Sequence, residues 1–164
     1  MTSEKTEMKI RPRRSALYMP GANRRALEKA RTLSADCLIL DLEDAVAPDA
    51  KTEARAQICT MLGDGGYGAR EIVVRINAPD TIWGDADMAA LGELPAAARP
   101  DAILAPKVST PQEIDALSAH LPPDTALWIM VETPGGNFDS EKMAAQATGS
   151  PSWWLWKRLD VPTK

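Results

Sequence analysis

Five apolar runs recur along the chain, and each breaks into polar or turn-forming residues at its C-terminal end. They are "SALYMPG" (15–21), "CLILDLE" (37–43), "EIVVRIN" (71–77), "DAILAPKV" (101–108) and "TALWIMVET" (125–133). Short, near-continuous apolar runs of this kind read as strands covered on both faces. The segments between them have helical spacing. In 23–33, Ala26, Leu27, Ala30 and Leu33 share a face behind Asn23 as N-cap; in 49–62, Ala54, Ile58, Met61 and Leu62 do so behind Asp49. A loop and a weak helix fill 80–94, and a helix over 110–121 starts with Thr110 as cap and Pro111 in its first turn. Strand and helix alternate, so the fold class is α/β with a parallel sheet. An open doubly wound sheet and a barrel both remain possible, and the regular polar strand ends favour the barrel.

Those polar ends matter because in parallel α/β folds they form one rim, where ligands bind. Pro20-Gly21, Asp41-Glu43-Asp44, Arg75-Asn77, Lys107 and Glu132-Thr133 are scattered in sequence but should converge in space. Arg75, after two valines and before Ile76, needs a carboxylate partner. A substrate, or Asp41 and Glu43, would serve bidentately, the alternative being a purely structural salt bridge. Glu132 poses the opposite problem at the end of "ALWIMV". A hard divalent cation, Mg²⁺ rather than zinc, would neutralise it, and pairing with Lys107 or Arg75 would do so as well. Lys107 is equally a substrate-binding cation or such a partner.

Composition excludes several classes of function. With 19 Lys and Arg against 23 Asp and Glu, the 164 residues carry a net charge of -4, so there is no basic field for nucleic acid. The one basic cluster, "KIRPRR" (9–14), reads as a solvated arm leading into the first strand. No apolar run is long enough for a membrane span and no signal-peptide pattern opens the chain, so the expected setting is cytoplasmic. Cys37 and Cys59 read as buried thiols, and His120 as a solvent-facing residue at a helix end. Gly21 and Gly135-Gly136 follow strand ends without any nucleotide-binding pattern around them.

The stretches "RSALYMPGANRRALEKA", "DCLILDLEDAVAPDAKTEAR", "EIVVRINAPDTIWGDADM", "DAILAPKV" and "LWIMVETPGG" together resemble the acyl-CoA lyase family of the citrate lyase beta subunit and malyl-CoA lyase. The resemblance spans roughly residues 13 to 136. It implies a (β/α)₈ TIM barrel, here partial and represented by about the first five strand–helix units. It also implies an oligomer, with itself or with a paralogous subunit, and Mg²⁺-dependent carbon–carbon cleavage beside a thioester, coenzyme A being part of the substrate. By motif, Arg75 and Asp41 would be catalytic, with Arg75 on the substrate's carboxylate or carbonyl and Asp41 near the metal or in proton transfer. Glu132 would ligate Mg²⁺, and Glu43 and Asp44 would support the site. Arg14, Tyr18, Pro20 and Gly21 would shape the coenzyme A end, with Lys107 as a further substrate contact. Two other readings stay open: a non-catalytic fragment that pairs with itself or a full-length paralogue, and an aldolase for free 2-oxo acids.

The pattern changes after residue 149. The expected organisation is an arm (1–12), the N-terminal part of a barrel (13–149) and an aberrant tail (150–164). In the tail the resemblance calls for a strand ending in a G-x-N-D-L type motif with the second Mg²⁺ ligand. The sequence there is "SPSWWLWKRLDVPTK", whose crowded tryptophans fit neither an amphipathic helix nor a clean strand. One reading is a membrane-surface or partner-binding tail with aromatics beside Lys157 and Arg158; the preferred one is a frameshift product, because codons for this stretch read one base forward can spell Gly-Gly-x-Gly-Asn-Asp-Leu-Thr. Sequencing the coding DNA checks this: the forward frame should continue the family pattern, and a stop within a few codons refutes it.

Overall fold

The computed structural model describes residues 13–132 and 153–157. Strands β1 (Ala16–Pro20), β2 (Cys37–Asp41), β3 (Glu71–Arg75), β4 (Ala102–Ala105), β5 (Ala126–Val131) and β6 (Trp153–Lys157) form one sheet. Helices α1 (Arg24–Ala30), α2 (Lys51–Asp64), α3 (Gly84–Gly92) and α4 (Pro111–Ser118) separate the first five. The sheet order is β1-β2-β3-β4-β5-β6 and every pairing is parallel. A doubly wound sheet reverses direction at a switch point. This order never does, so the wall is that of a (β/α) barrel.

Helix starts follow local chemistry. Asn23 accepts a bond from the Ala26 N–H, and Thr110 and Glu113 form a reciprocal capping box with Pro111 in the first turn. Asp49 does not cap α2. It lies in a single 3₁₀ turn, Pro48–Ala50, and α2 begins directly after it with no side-chain cap. The buried face of α2 contains the expected Ala54, Ile58, Met61 and Leu62, and in α1 Leu27 and Ala30 are buried. Among the described residues no helix is long and apolar enough to cross a membrane.

Strand residues divide by parity into two layers. Leu38, Leu40, Val74, Ile103 and Ile129 pack outward under the helices against Leu27, Ile58, Leu91 and Ile114. Cys37, Ile39, Val73, Ala102, Leu104, Trp128 and Met130 face the other way and form a second cluster inside the sheet's curve. Burial pushes the Cys37 thiol up to about 12, so it behaves as a core apolar group. Cys59 is half-buried rather than buried.

Two further expectations change. The tryptophan-rich run is a strand after all: β6 pairs with β5 from Leu127↔Trp153 to Val131↔Lys157. The main-chain pairing makes it a strand without side-chain alternation, and tryptophan is a good strand former. The described sheet therefore has six strands rather than five. The remainder of the tail, the arm and Thr133, Gly135 and Gly136 lie outside the described residues. The basic cluster, secondly, is not wholly solvated at its end. Arg13 forms an ion pair with Glu71 and lies 5.2 Å from the Trp128 ring centroid, closing the N-terminal end of the inner layer.

At that same end Asp36 accepts from the backbone N–H groups of Arg14 and Ser15 and from the Arg14 guanidinium. The guanidinium foremost, with those N–H groups, holds the carboxyl down at about 2 despite some desolvation. A carboxyl depressed on folding stabilises the protein above its ordinary value near 3.9 and loses that contribution as pH falls toward the folded value. Thermal melts from pH 5 to pH 2 should show a steeper acid loss for wild type than for Asp36→Asn. Parallel curves would refute this role.

Candidate active site at the mouth of the sheet

Parity and register assemble the centre. Asp41 and Arg75 are register partners at the ends of β2 and β3, on the inward-facing alternation of Ile39 and Val73. Arg75 Nε–H donates to Asp41 Oδ1 at 2.7 Å and its Nη2 to Oδ2 at 2.6 Å, a bidentate pair with both side chains almost fully buried. Its Nη1 lies 2.9 Å from Glu43 Oε2 and 3.7 Å from the exposed Asp44. The Tyr18 ring covers it, 5.0 Å from guanidinium carbon to centroid. Burial opposes the charge on Arg75, but the Asp41 bonds and the Asp41 and Glu43 charges outweigh it, so the guanidinium is more firmly protonated than usual.

Asp41 is held in turn. Its Oδ1 accepts from the Glu43 N–H at 2.9 Å and its Oδ2 from the Ala45 N–H at 3.3 Å, which folds the β2–α2 loop around the carboxylate. Glu43 is also buried, and its Oε1 meets the Lys107 ammonium at 2.9 Å. These contacts to Arg75 and Lys107 are ion pairs at close range. Burial nevertheless raises the Glu43 carboxyl above the usual range, with Lys107 and Arg75 working against the rise.

Lys107 joins three strand ends. Its backbone is left-handed (φ 58), and this turns its N–H onto Glu132 Oε1 at 3.1 Å while its side chain reaches Glu43. Pairing of Glu132 with Lys107 thus occurs through the main chain. Gly21 and Pro20 close the β1 side. The Gly21 N–H donates to Asp41 O at 2.8 Å, and a Cβ on Gly21 would stand 2.6 Å from that oxygen. Only glycine lets β1 approach the loop this closely. Arg14 is not brought to the mouth; it precedes β1 and pairs with Asp36 at the opposite end of the sheet. His120 is exposed on the outer helical layer, as expected, with Nδ1 2.8 Å from Ala116 O.

Three residues absent from the sequence-based site, Asp87, Arg55 and Lys51, support it together with the rim residue Asn77. Asp87, wholly buried, accepts from Asn77 N–H at 2.9 Å, Asn77 Nδ2 at 2.7 Å and Arg55 Nε at 2.7 Å, fixing the chain just past Arg75. Lys51, also buried, donates to the carbonyls of Leu42 and Glu43, each at 2.9 Å. Asp87 left a signal: it shares the buried face of α3 with Gly84, Met88 and Leu91, a carboxylate at a core position. Lys51 left none, since its neighbours in sequence do not distinguish it from a solvated helix-start lysine.

A magnesium site requires several oxygen ligands in near-octahedral order. Glu132 would be one. Asp41 and Glu43 face cations, and among the described residues no group of three or more His, Cys, Asp or Glu is arranged to hold a metal. The described residues thus supply a single ligand and do not by themselves fit the ion.

Residues 14–126 match the HpcH/HpaI aldolase/citrate lyase family. The chain belongs to this family. It is 50% identical over 134 residues to a (3S)-malyl-CoA thioesterase of Cereibacter sphaeroides (strain KD131 / KCTC 12085), an alignment covering 82% of this chain and 45% of that protein. It is 40% identical over 114 residues to the mitochondrial citramalyl-CoA lyase of Rattus norvegicus, covering 67% and 33%. The structure of protein CitE from Mycobacterium tuberculosis in complex with magnesium, acetoacetate and coenzyme A superposes with a TM-score of 0.64 at 25% identity, covering 89% of this chain and 49% of that one. The chain therefore spans less than half the length of these curated relatives, and the likeness in fold extends through most of what is present.

The geometry separates the two rim cations energetically. Arg75→Leu strands two buried carboxylates and should destabilise the fold by about 3–5 kcal/mol. Lys107→Ala removes a half-exposed ammonium and should cost about 1 kcal/mol or less. Urea unfolding midpoints measure both; equal losses would show that Arg75 is not the centre of the cluster.

Proposed function

We propose that the mouth binds the acyl end of a short hydroxyacyl-CoA thioester of the malyl, citramalyl or citryl type and that the family site it belongs to cleaves the carbon–carbon bond through an enolate. The observation that carries this reading is Arg75: a fixed, buried cation at the strand ends. Among the described residues, three of its five N–H groups make the close contacts to Asp41 and Glu43, with Asp44 at 3.7 Å, and the other two are offered to an incoming carboxylate or carbonyl oxygen. Preorganised cations stabilise charge that develops on oxygen without reorganising during the reaction. Lys107, half-exposed and beside Glu43, is the second candidate for the acyl carboxylate.

The arrangement alters the role proposed for Asp41. A general base must be free to take a proton, whereas both Asp41 oxygens are bonded to Arg75 and to backbone N–H groups. Asp41 is accordingly proposed as the residue that aims Arg75. Tyr18 covers the guanidinium from β1, and Glu43 and Asp44 complete its surroundings. Magnesium, and coenzyme A as the carrier of the acyl group, belong to the proposal, with Glu132 as the one metal ligand the described residues supply. The oligomeric assembly implied by the resemblance is part of it too.

A second reading is favoured by one observation, the 50% identity to proteins named (3S)-malyl-CoA thioesterase. The same pocket would then direct water to the thioester carbonyl. Products distinguish the readings with a single substrate. Cleavage of (3S)-malyl-CoA releases glyoxylate and acetyl-CoA, and hydrolysis releases malate and free coenzyme A. We expect the first pair in the presence of Mg²⁺, falling on the order of 10²-fold in kcat/KM for Arg75→Lys. Malate with free coenzyme A would transfer the chain to the second reading. Turnover of free 4-hydroxy-2-oxo acids alone would remove coenzyme A from the proposal, and an undiminished Arg75→Lys variant would overturn the site.

A further inference from the structure

Lys51 occupies a position that elementary energetics disfavours twice. A lysine is rarely fully buried, yet Lys51 is only 6% exposed. It is also the first residue of α2, where the helix dipole repels a cation. Burial accordingly weakens its hold on the proton, against the pull of Asp87, Glu43, Asp41 and Asp44. Such a placement needs compensating contacts, and these converge on the mouth of the sheet.

The ammonium donates to Leu42 O and Glu43 O, each at 2.9 Å. These carbonyls belong to the loop whose side chains surround Arg75. Leu42 is additionally tied to β3, its N–H donating to Arg75 O at 2.9 Å. Above the ammonium lies the Trp83 ring, 5.3 Å away, from the loop that follows β3. That loop is anchored two residues past Arg75 by Asn77 on Asp87. Lys51 is thus the point where the carboxylate-bearing loop and the arginine-bearing loop meet beneath the site.

We propose that Lys51 is a positioning residue: by gripping the Leu42 and Glu43 carbonyls beneath Trp83, it holds the Asp41–Glu43 carboxylates in the arrangement that fixes the Arg75 guanidinium. It touches no reacting atom in this role. That the fixed guanidinium receives substrate rests on the functional reading above; that Lys51 fixes it does not.

The test reads the guanidinium directly. In ¹⁵N-labelled wild-type chain, the Arg75 Nε–H should exchange slowly with solvent because it is buried and bonded to Asp41. Lys51→Met, which keeps the stem and removes the ammonium, should speed that exchange by about tenfold or more, while the Ile39 and Val73 amides of the inner layer change far less. Lys51→Arg restores donors toward the carbonyls and should return the exchange to within about threefold of wild type. Leu27→Ala, a core cavity away from the site, controls for general destabilisation: it should move the inner amides and Arg75 together. The proposal is overturned if Lys51→Met leaves Arg75 exchange unchanged, or changes it only in step with the inner amides as Leu27→Ala does. Should Lys51→Met not fold, Trp83→Leu, which leaves the ammonium but strips its cover, should show a selective acceleration of the same sign, and none would be equally damaging. Turnover of (3S)-malyl-CoA measured alongside separates the two ideas. An intact exchange effect without turnover spares Lys51 and sinks the functional reading, whereas turnover without the exchange effect does the reverse.

Discussion

The buried pairing of Arg75 with Asp41 is the interaction on which the arrangement of the mouth depends. A guanidinium and a carboxylate removed from water attract strongly enough to offset their desolvation only with excellent geometry and satisfied remaining groups. Here the fork is bidentate, Glu43 takes a further N–H, and backbone N–H groups saturate Asp41. The geometry exists because Asp41 and Arg75 are register partners of equal parity. A slip of one residue between β2 and β3 would send one of them outward under the helices. Strand register and site are therefore one constraint, and the Leu38, Leu40 and Val74 face that fixes the register also secures the pair.

The two ends of the sheet divide the labour. At the N-terminal end, Arg13 with Glu71 and Trp128, and Arg14 with Asp36, make a closed set of charge pairs around apolar surface. At the C-terminal end, among the described residues, Asp41, Glu43, Asp44 and Glu132 face only Arg75 and Lys107, with Lys51 beneath. Among the described residues, carboxylates outnumber cations within direct reach, and part of the Arg75 fork is left without a close partner. In parallel α/β barrels the C-terminal face carries chemistry and the opposite face stability. The charge inventories of the two ends follow that division, which is why Arg14, despite its place in a shared motif, belongs with the stabilising set.

What the sequence disclosed follows from period and from contrast. Apolar runs ending in charge located the five strands and placed Asp41, Arg75 and Glu132 at one mouth, because parity and parallel order leave little else. Helix faces such as Ala54, Ile58, Met61 and Leu62 emerged from spacing alone. Contacts made by main-chain atoms were not legible. Lys51 binds carbonyls rather than side chains, and Lys107 reaches Glu132 through an N–H that only a left-handed backbone exposes. The β6 tryptophans misled for a related reason: what makes the run a strand is its main-chain pairing with β5, which side-chain alternation does not report.

Lys107 shows how far this local logic extends. A non-glycine residue at φ 58 is disfavoured by roughly 1–3 kcal/mol and persists only where surrounding contacts fix it. Here one residue's main-chain N–H meets a carboxylate from β5 and its ammonium meets a carboxylate from the β2 loop, while its own position follows β4. A relaxed extended backbone would turn the N–H away from Glu132 and so sacrifice one of the two. The strain is thus the consequence of asking a single residue to join β2, β4 and β5 across the position of β3. Its product is a chain of charges from Glu132 through Lys107 and Glu43 to Arg75 and Asp41, every link made between residues 41 and 132. The mouth is organised as one electrostatic unit by contacts internal to the first five strands and their loops.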